Sequence, residues 1–137
     1  MPGGHGRRWG RIRRAVRMLE PTLLLLLHHG ATHGYTLLER LAGFGLADLH
    51  PSIVYRALNE MEELGWLSSS WEEEASQGPP RRVYRLTALG DEVLANWIRD
   101  LEQAQAQVAQ LLAAYRRHME KGQGEHHGGS LKAGGGE

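Results

Sequence analysis

The stretch LHPSIVYRALNEMEELGWLSSSWEEEASQGPPRRVYRLTALG, Leu49 to Gly90, decides the fold. Pro51 suits a first helical turn, where its missing N–H costs nothing. From there Val54, Leu58, Met61 and Leu64 recur at three- and four-residue steps, which predicts a helix over 51–64 with an apolar stripe facing a core. Trp66 to Trp71 and Val83 to Leu86 are rich in strand formers or alternate in polarity. The segment between them is turn-prone, with Gly78, Pro79 and Pro80, so the two runs predict a β-hairpin. A helix followed by a hairpin with a basic tip is the pattern of a winged helix-turn-helix. The expected fold class is therefore mostly α with a small β-hairpin, a winged helix-turn-helix plus a long C-terminal helix.

The polar side of the helix has its own pattern. Ser52, Tyr55, Arg56 and Asn59 fall together on one face, while Glu60, Glu62 and Glu63 come only in the second half. Asn suits adenine and Arg suits guanine in a major groove, and Tyr offers a ring edge for a thymine methyl and a hydroxyl for phosphate. Such a helix would enter the groove by its N-terminal end. A plain amphipathic helix with a solvated face accounts for the same spacing. In the hairpin, Arg81 and Arg82 follow two stiffening prolines, where two guanidinium groups are suited to clamp phosphates or enter a minor groove. An ordinary surface hairpin with a solubilising arginine pair is the alternative. The acids Glu72, Glu73 and Glu74 are expected to pair with Arg81, Arg82 or Arg85 across the strands.

Three strings together resemble the PadR family of bacterial transcriptional regulators: HGYTLLERL (33–41), SIVYRALNEMEELGWL (52–67) and PPRRVYRLTALG (79–90). They occur in the family's order and spacing, and the likeness spans roughly 23–112. The helix here opens His-Pro-Ser-Ile-Val-Tyr where the family's often opens Ser-x-Gly-Thr-Leu-Tyr. The resemblance implies a dimeric winged-helix DNA-binding protein, usually a repressor, whose C-terminal helices make the dimer. Tyr55 is the residue that carries over most directly.

Composition fits a small binding protein. A chain of 137 residues suits one domain helped by dimerisation, and the lack of cysteine excludes disulfides and thiolate metal sites. The apolar run Leu23 to Leu27 is far too short to span a bilayer, and no small-residue cleavage site follows it. The expected location is cytoplasmic.

The net charge is zero, but its distribution is uneven. Arg7, Arg8, Arg11, Arg13, Arg14 and Arg17 crowd the N-terminus against Glu20 alone, with Trp9, Ile12, Val16 and Leu19 at helical spacing. A DNA-backbone arm, a membrane-surface helix, and a helix packed on the domain or its dimer partner all fit this pattern. Packing of the apolar side, with the arginines left to phosphate, is favoured, because nothing else in the chain points to lipid. Pro21 is expected to begin the first core helix and Gly30 to end it. Thr32 is a candidate cap for a second helix running through Tyr35, Leu37, Leu38 and Leu41 to a Gly43-Phe44-Gly45 turn. Gly34 predicts a close helix approach. Tyr35 has two readings, a DNA-backbone contact or a packing role.

After Thr87, a candidate cap, a long helix is expected to reach about His118. Leu94, Leu101, Val108 and Tyr115 repeat every seven residues, as do Trp97, Ala104 and Leu111. A stripe this long needs a partner helix, and the simplest partner is its own copy in a two-fold dimer. The expected interface residues are Leu94, Trp97, Leu101, Val108, Leu111 and Tyr115. Two-fold symmetry predicts an inverted-repeat operator. Paired Trp97 indoles across the axis would form a stacking platform for a small aromatic effector; a tryptophan filling the interface is the plainer reading, and the favoured one.

His28, His29 and His33 cluster near one helix end, and His126 and His127 lie in a glycine-rich tail. Neighbouring helical residues point apart and no carboxylate cluster completes a shell, so neither a metal nor any other cofactor is expected. The expected organisation is a basic amphipathic segment (1–20), a winged helix-turn-helix (21–87), a dimerisation helix (88–120) and a disordered tail (121–137). The leading function is a homodimeric repressor reading double-stranded DNA through helix 51–64 and wing 78–83. A winged-helix module that docks protein instead is the alternative. An enzyme comes last, since no nucleophile–base pair or phosphate loop appears.

Overall fold

The computed structural model describes residues 3–72 and 80–122, with residues 3–12 given by their backbone alone. Among the described residues four α-helices and three strands follow one another as α1 (Gly3–His29), β1 (Thr32–His33), α2 (Gly34–Leu41), α3 (Pro51–Glu63), β2 (Leu67–Glu72), β3 (Arg81–Leu86) and α4 (Ala88–Glu120). A short 3-10 turn (Ala42–Phe44) closes α2. Gly45 follows it at φ 76, a left-handed conformation that glycine adopts without steric cost. The strands form one antiparallel sheet in the order β1-β3-β2.

Helix α3 buries the expected stripe, with Val54, Leu58 and Met61 fully enclosed. They meet Leu19, Leu23, Leu24 and Leu27 of α1, Leu37 and Leu41 of α2, and Leu67 and Tyr84 of the sheet. Leu64 departs from the reading. The helix ends at Glu63 and Leu64 is its C-cap, so its side chain leaves the stripe and stands 55 % exposed.

Pro21 does not begin a helix. It lies inside α1, which runs unbroken across it. Proline removes one N–H from the helical ladder, which disfavours an interior position. Here the buried stripe crosses the proline, with Leu19 on one side and Leu23 on the other both in the core, and burial outweighs the lost bond. The Thr22 hydroxyl adds a 2.7 Å bond to the Met18 carbonyl at the same turn.

Thr32 does not cap α2. It pairs with Tyr84 in β1, a strand of two residues that carries no periodic signal, and His33 takes the N-cap position. The expected Thr87 cap is present: its hydroxyl accepts from the Gly90 N–H (3.0 Å) at the start of α4. Gly90 then lies against the backbone of Trp66, where a Cβ would come within 2.1 Å of the carbonyl oxygen.

Ile98 closes the first compact unit of the chain and Arg99 opens the second. Within the first, Leu94 is buried in the core and Trp97 packs half-buried against it. The head of the expected heptad stripe therefore belongs to the chain's own core. Within the second, Val108, Leu111, Leu112 and Tyr115 are exposed, Leu111 to 69 %. Among the described residues no helix is long and apolar enough to cross a membrane, and no group of three His, Asp or Glu side chains converges as a metal site.

Candidate nucleic-acid interface

The first turn of α3 is held by an unusual cap. His50 Nδ1 accepts from the Ser52 backbone N–H (3.1 Å), and the Ser52 hydroxyl lies 2.9 Å from the same nitrogen. The hydroxyl expected to meet DNA is thus already engaged within the cap. Tyr55, Arg56 and Asn59 follow on the same exposed side of the helix, at the spacing that places residues on one face.

Tyr55 is positioned by a glycine. A Cβ on Gly34 would lie 2.7 Å from Cε1 of the Tyr55 ring, so the first turn of α2 and the middle of α3 meet at a point where only hydrogen fits. This is the close approach that Gly34 predicted. Beside it, Tyr35 is exposed and stacks on His33, ring centroids 5.4 Å apart and nearly parallel. Arg81 Nη1 donates to the Tyr35 hydroxyl (3.0 Å), with its guanidinium carbon 5.6 Å from the ring centre. Among the described residues no carboxylate pairs with Arg81. These side chains, with Asn59, border an open groove of about 320 Å³ between α3, the start of α2 and the hairpin.

Arg81 and Arg82 differ from the expected matched clamp. Both lie in β3 rather than on a loop, so their side chains leave opposite faces of the sheet. Arg81 shares its face with His33 and Glu72, as the pairings His33↔Val83 and Glu72↔Arg81 require. Arg82 shares the other with Trp71 and Tyr84 and meets α3. Its Nη2 donates to Glu62 (3.2 Å) and its Nε to Ser69 (3.0 Å).

Of the three acids expected to pair across the strands only Glu72 is described, and it takes another partner. The Glu72 carboxylate accepts from His33 Nε2 (2.7 Å), and Arg85 donates to Ser70 (2.9 Å). The reason is again alternation together with the unread strand β1, which brings His33 to the sheet edge. Glu73, Glu74, Gly78 and Pro79 lie outside the described residues.

Two groups carry perturbed protonation. Burial pushes the Tyr84 hydroxyl above its usual range, with the Arg82 charge acting against that shift. Burial, and then the neighbouring Glu60 carboxylate, raise the Glu20 carboxyl above the ordinary range. Glu62, Ser69, His50 and His33 were not singled out as functional by sequence reasoning. Glu62, Ser69 and His33 carry no local signal, because each acts through a residue that only the fold brings near. His50, in contrast, stands two residues from the Ser52 it caps, just before a first-turn proline.

The chain is similar to known proteins over most of its length. A family model described as the transcriptional regulator PadR-like family matches residues 23–96. The crystal structure of a PadR family transcriptional regulator from Eggerthella lenta DSM 2243 superimposes with a TM-score of 0.68 at 25 % identity, covering 82 % of this chain and 93 % of that one. A conserved protein of unknown function, described as a potential transcriptional factor, gives 0.65 at 34 % identity, over 75 % of this chain and 91 % of that one. A PadR-like transcription factor from Bacteroides fragilis gives 0.61 at 26 % identity, over 72 % and 94 %. No curated protein sequence matches.

Proposed function

The chain belongs to the PadR-like family of transcriptional regulators, and from that premise we propose that it is a homodimeric repressor that reads an inverted-repeat operator through α3 and the wing. The observation that carries the reading is the groove where the exposed Tyr55 and Asn59 of α3 meet Arg81, with Arg56 exposed on the same side of the helix. Polar side chains with planar amide or guanidinium groups suit base edges, and a guanidinium on a rigid strand suits phosphate. Tyr35, bonded to Arg81, lies at the same edge and is suited to a backbone phosphate.

The dimer part of the proposal is supported by the exposed apolar positions of α4, where Val108, Leu111, Leu112 and Tyr115 recur at three- and four-residue steps. A second copy of the helix covers such a row in the simplest way, with Leu101, half-exposed, at its near end. Two recognition helices related by that axis meet half-sites about one helical turn apart. A cytoplasmic location follows from this reading. Trp97 packs partly on the core, so a filling role accounts for it. A small aromatic effector stacked there would act at the dimer interface, but repression by occupancy does not depend on one.

Footprinting of the purified protein on fragments selected from genomic DNA tests the proposal. Two protected half-sites in inverted repeat are expected, with Asn59→Ala changing the preferred base within each half-site. Protection without any common sequence would contradict operator reading.

A further inference from the structure

Glu62, Ser69 and Arg82 close a triangle of hydrogen bonds between α3 and the wing. The Ser69 hydroxyl donates to Glu62 Oε2 (2.7 Å), Arg82 Nε donates to the Ser69 oxygen (3.0 Å), and Arg82 Nη2 donates to Glu62 Oε1 (3.2 Å). The same guanidinium carbon stands 5.5 Å from the Trp71 ring centre and 5.7 Å from that of Tyr84. The two bonds to Glu62 reach past the hairpin's own ladder, and Glu62 is the one residue of α3 in the network. Arg81, its neighbour in sequence, holds no carboxylate among the described residues.

We infer that Arg82 and Glu62 are positioning residues, a clasp that fixes the wing against the recognition helix, and that Arg81 rather than Arg82 is the wing's phosphate contact. Arg82 lines the same groove as Arg81, but two of its five N–H donors and its charge are already committed to Ser69 and Glu62, so a phosphate would compete with those partners for it. An exposed guanidinium that among the described residues is tied only to a tyrosine loses little. The clasp sets the distance between Arg81 and the α3 face, so its effect on DNA is geometric. The arginine fork is essential to it: lysine keeps the charge but cannot bridge Ser69 and Glu62 from one planar group.

The clasp is tested in two arms, of which only the second rests on the DNA-binding reading. In free protein, amide hydrogen exchange is compared among wild type, Arg82→Lys, Arg82→Gln and Glu62→Gln. All three variants are expected to exchange faster in β2 and β3, with α1 and α2 unchanged. Unchanged exchange in β2 and β3, or a rise spread through α1 and α2, overturns the clasp. Glu62→Gln guards against misfolding, since it leaves the arginine in place.

In the second arm, affinity for a bound genomic fragment is measured against salt. Each variant is expected to bind about three- to tenfold more weakly, the worth of one hydrogen-bonded contact. The slope of log affinity against log salt is expected to match wild type. A slope lower by about one in Arg82→Gln, restored in Arg82→Lys, would make Arg82 a phosphate contact and overturn the inference. Wild type without salt-dependent binding contradicts the DNA-binding reading, and the exchange arm still decides the clasp.

Discussion

Gly34 and Tyr55 touch where a methyl group cannot fit: a Cβ on Gly34 would lie 2.7 Å from the Tyr55 ring. The contact orients the one ring on the exposed face of α3. Gly34→Ala is expected to leave stability within about 1 kcal/mol of wild type, because alanine's better helix propensity offsets the crowding. The ring must move instead, and DNA affinity is expected to fall by about tenfold, the worth of one lost hydrogen bond. Thermal denaturation and fluorescence anisotropy, run on the same variant, check the two halves.

Gly90 is constrained by backbone rather than by a mobile ring. A Cβ there would meet the Trp66 carbonyl oxygen at 2.1 Å, and that carbonyl also accepts from the Thr87 N–H and hydroxyl. Neither partner can retreat without opening the junction between β3 and α4. Gly90→Ala is therefore expected to cost about 1–3 kcal/mol or more and lower the melting temperature by roughly 5–15 °C. A melting temperature equal to wild type would contradict the close contact.

How much of this was legible in the sequence depends on the range over which each signal acts. The α3 stripe was readable because Val54, Leu58 and Met61 obey the helix period among themselves. Leu64 was misplaced, since periodicity does not say where a helix stops. Pro21 misled for a related reason: its local preference is strong, but the leucines on both sides answer to the core. Strand β1 has two residues and no period at all, so only pairing with β3 creates it. Arg81 and Arg82 looked equivalent as neighbours in a loop, yet one step along a strand reverses the face. The Glu62–Arg82 contact spans twenty positions and follows only from the hairpin register.

Glu20 supplies a pH test. Its carboxyl is raised above the ordinary range by burial and by Glu60, so the folded state holds that proton more tightly than the unfolded chain does. Its contribution to stability is present below the unfolded carboxyl range and is lost as pH rises through the folded one. At neutral pH the ionised group works against folding. Glu20→Gln is expected to raise the melting temperature by roughly 1–4 °C at neutral pH, with the gain shrinking on acidification. Melting curves across pH 4 to 8 follow the trend; a gain that grows toward low pH would reverse the sign.

The exposed row on α4 predicts an oligomeric state. Leu111→Glu combined with Tyr115→Glu places two carboxylates where an apolar partner face is expected. Wild type is expected to scatter light as a dimer at micromolar concentration and the double variant as a monomer. A monomeric wild type would remove the dimer from the account.

The central claim is that α3 and Arg81 bind DNA, and the salt dependence of the Arg81→Ala variant tests it most directly. Wild-type affinity for a bound genomic fragment should fall steeply between about 50 and about 200 mM salt, as counterions released from phosphates require. Arg81→Ala should bind more weakly and show a slope smaller by about one. A wild-type affinity that does not change with salt, or an Arg81→Ala slope identical to wild type, would contradict it.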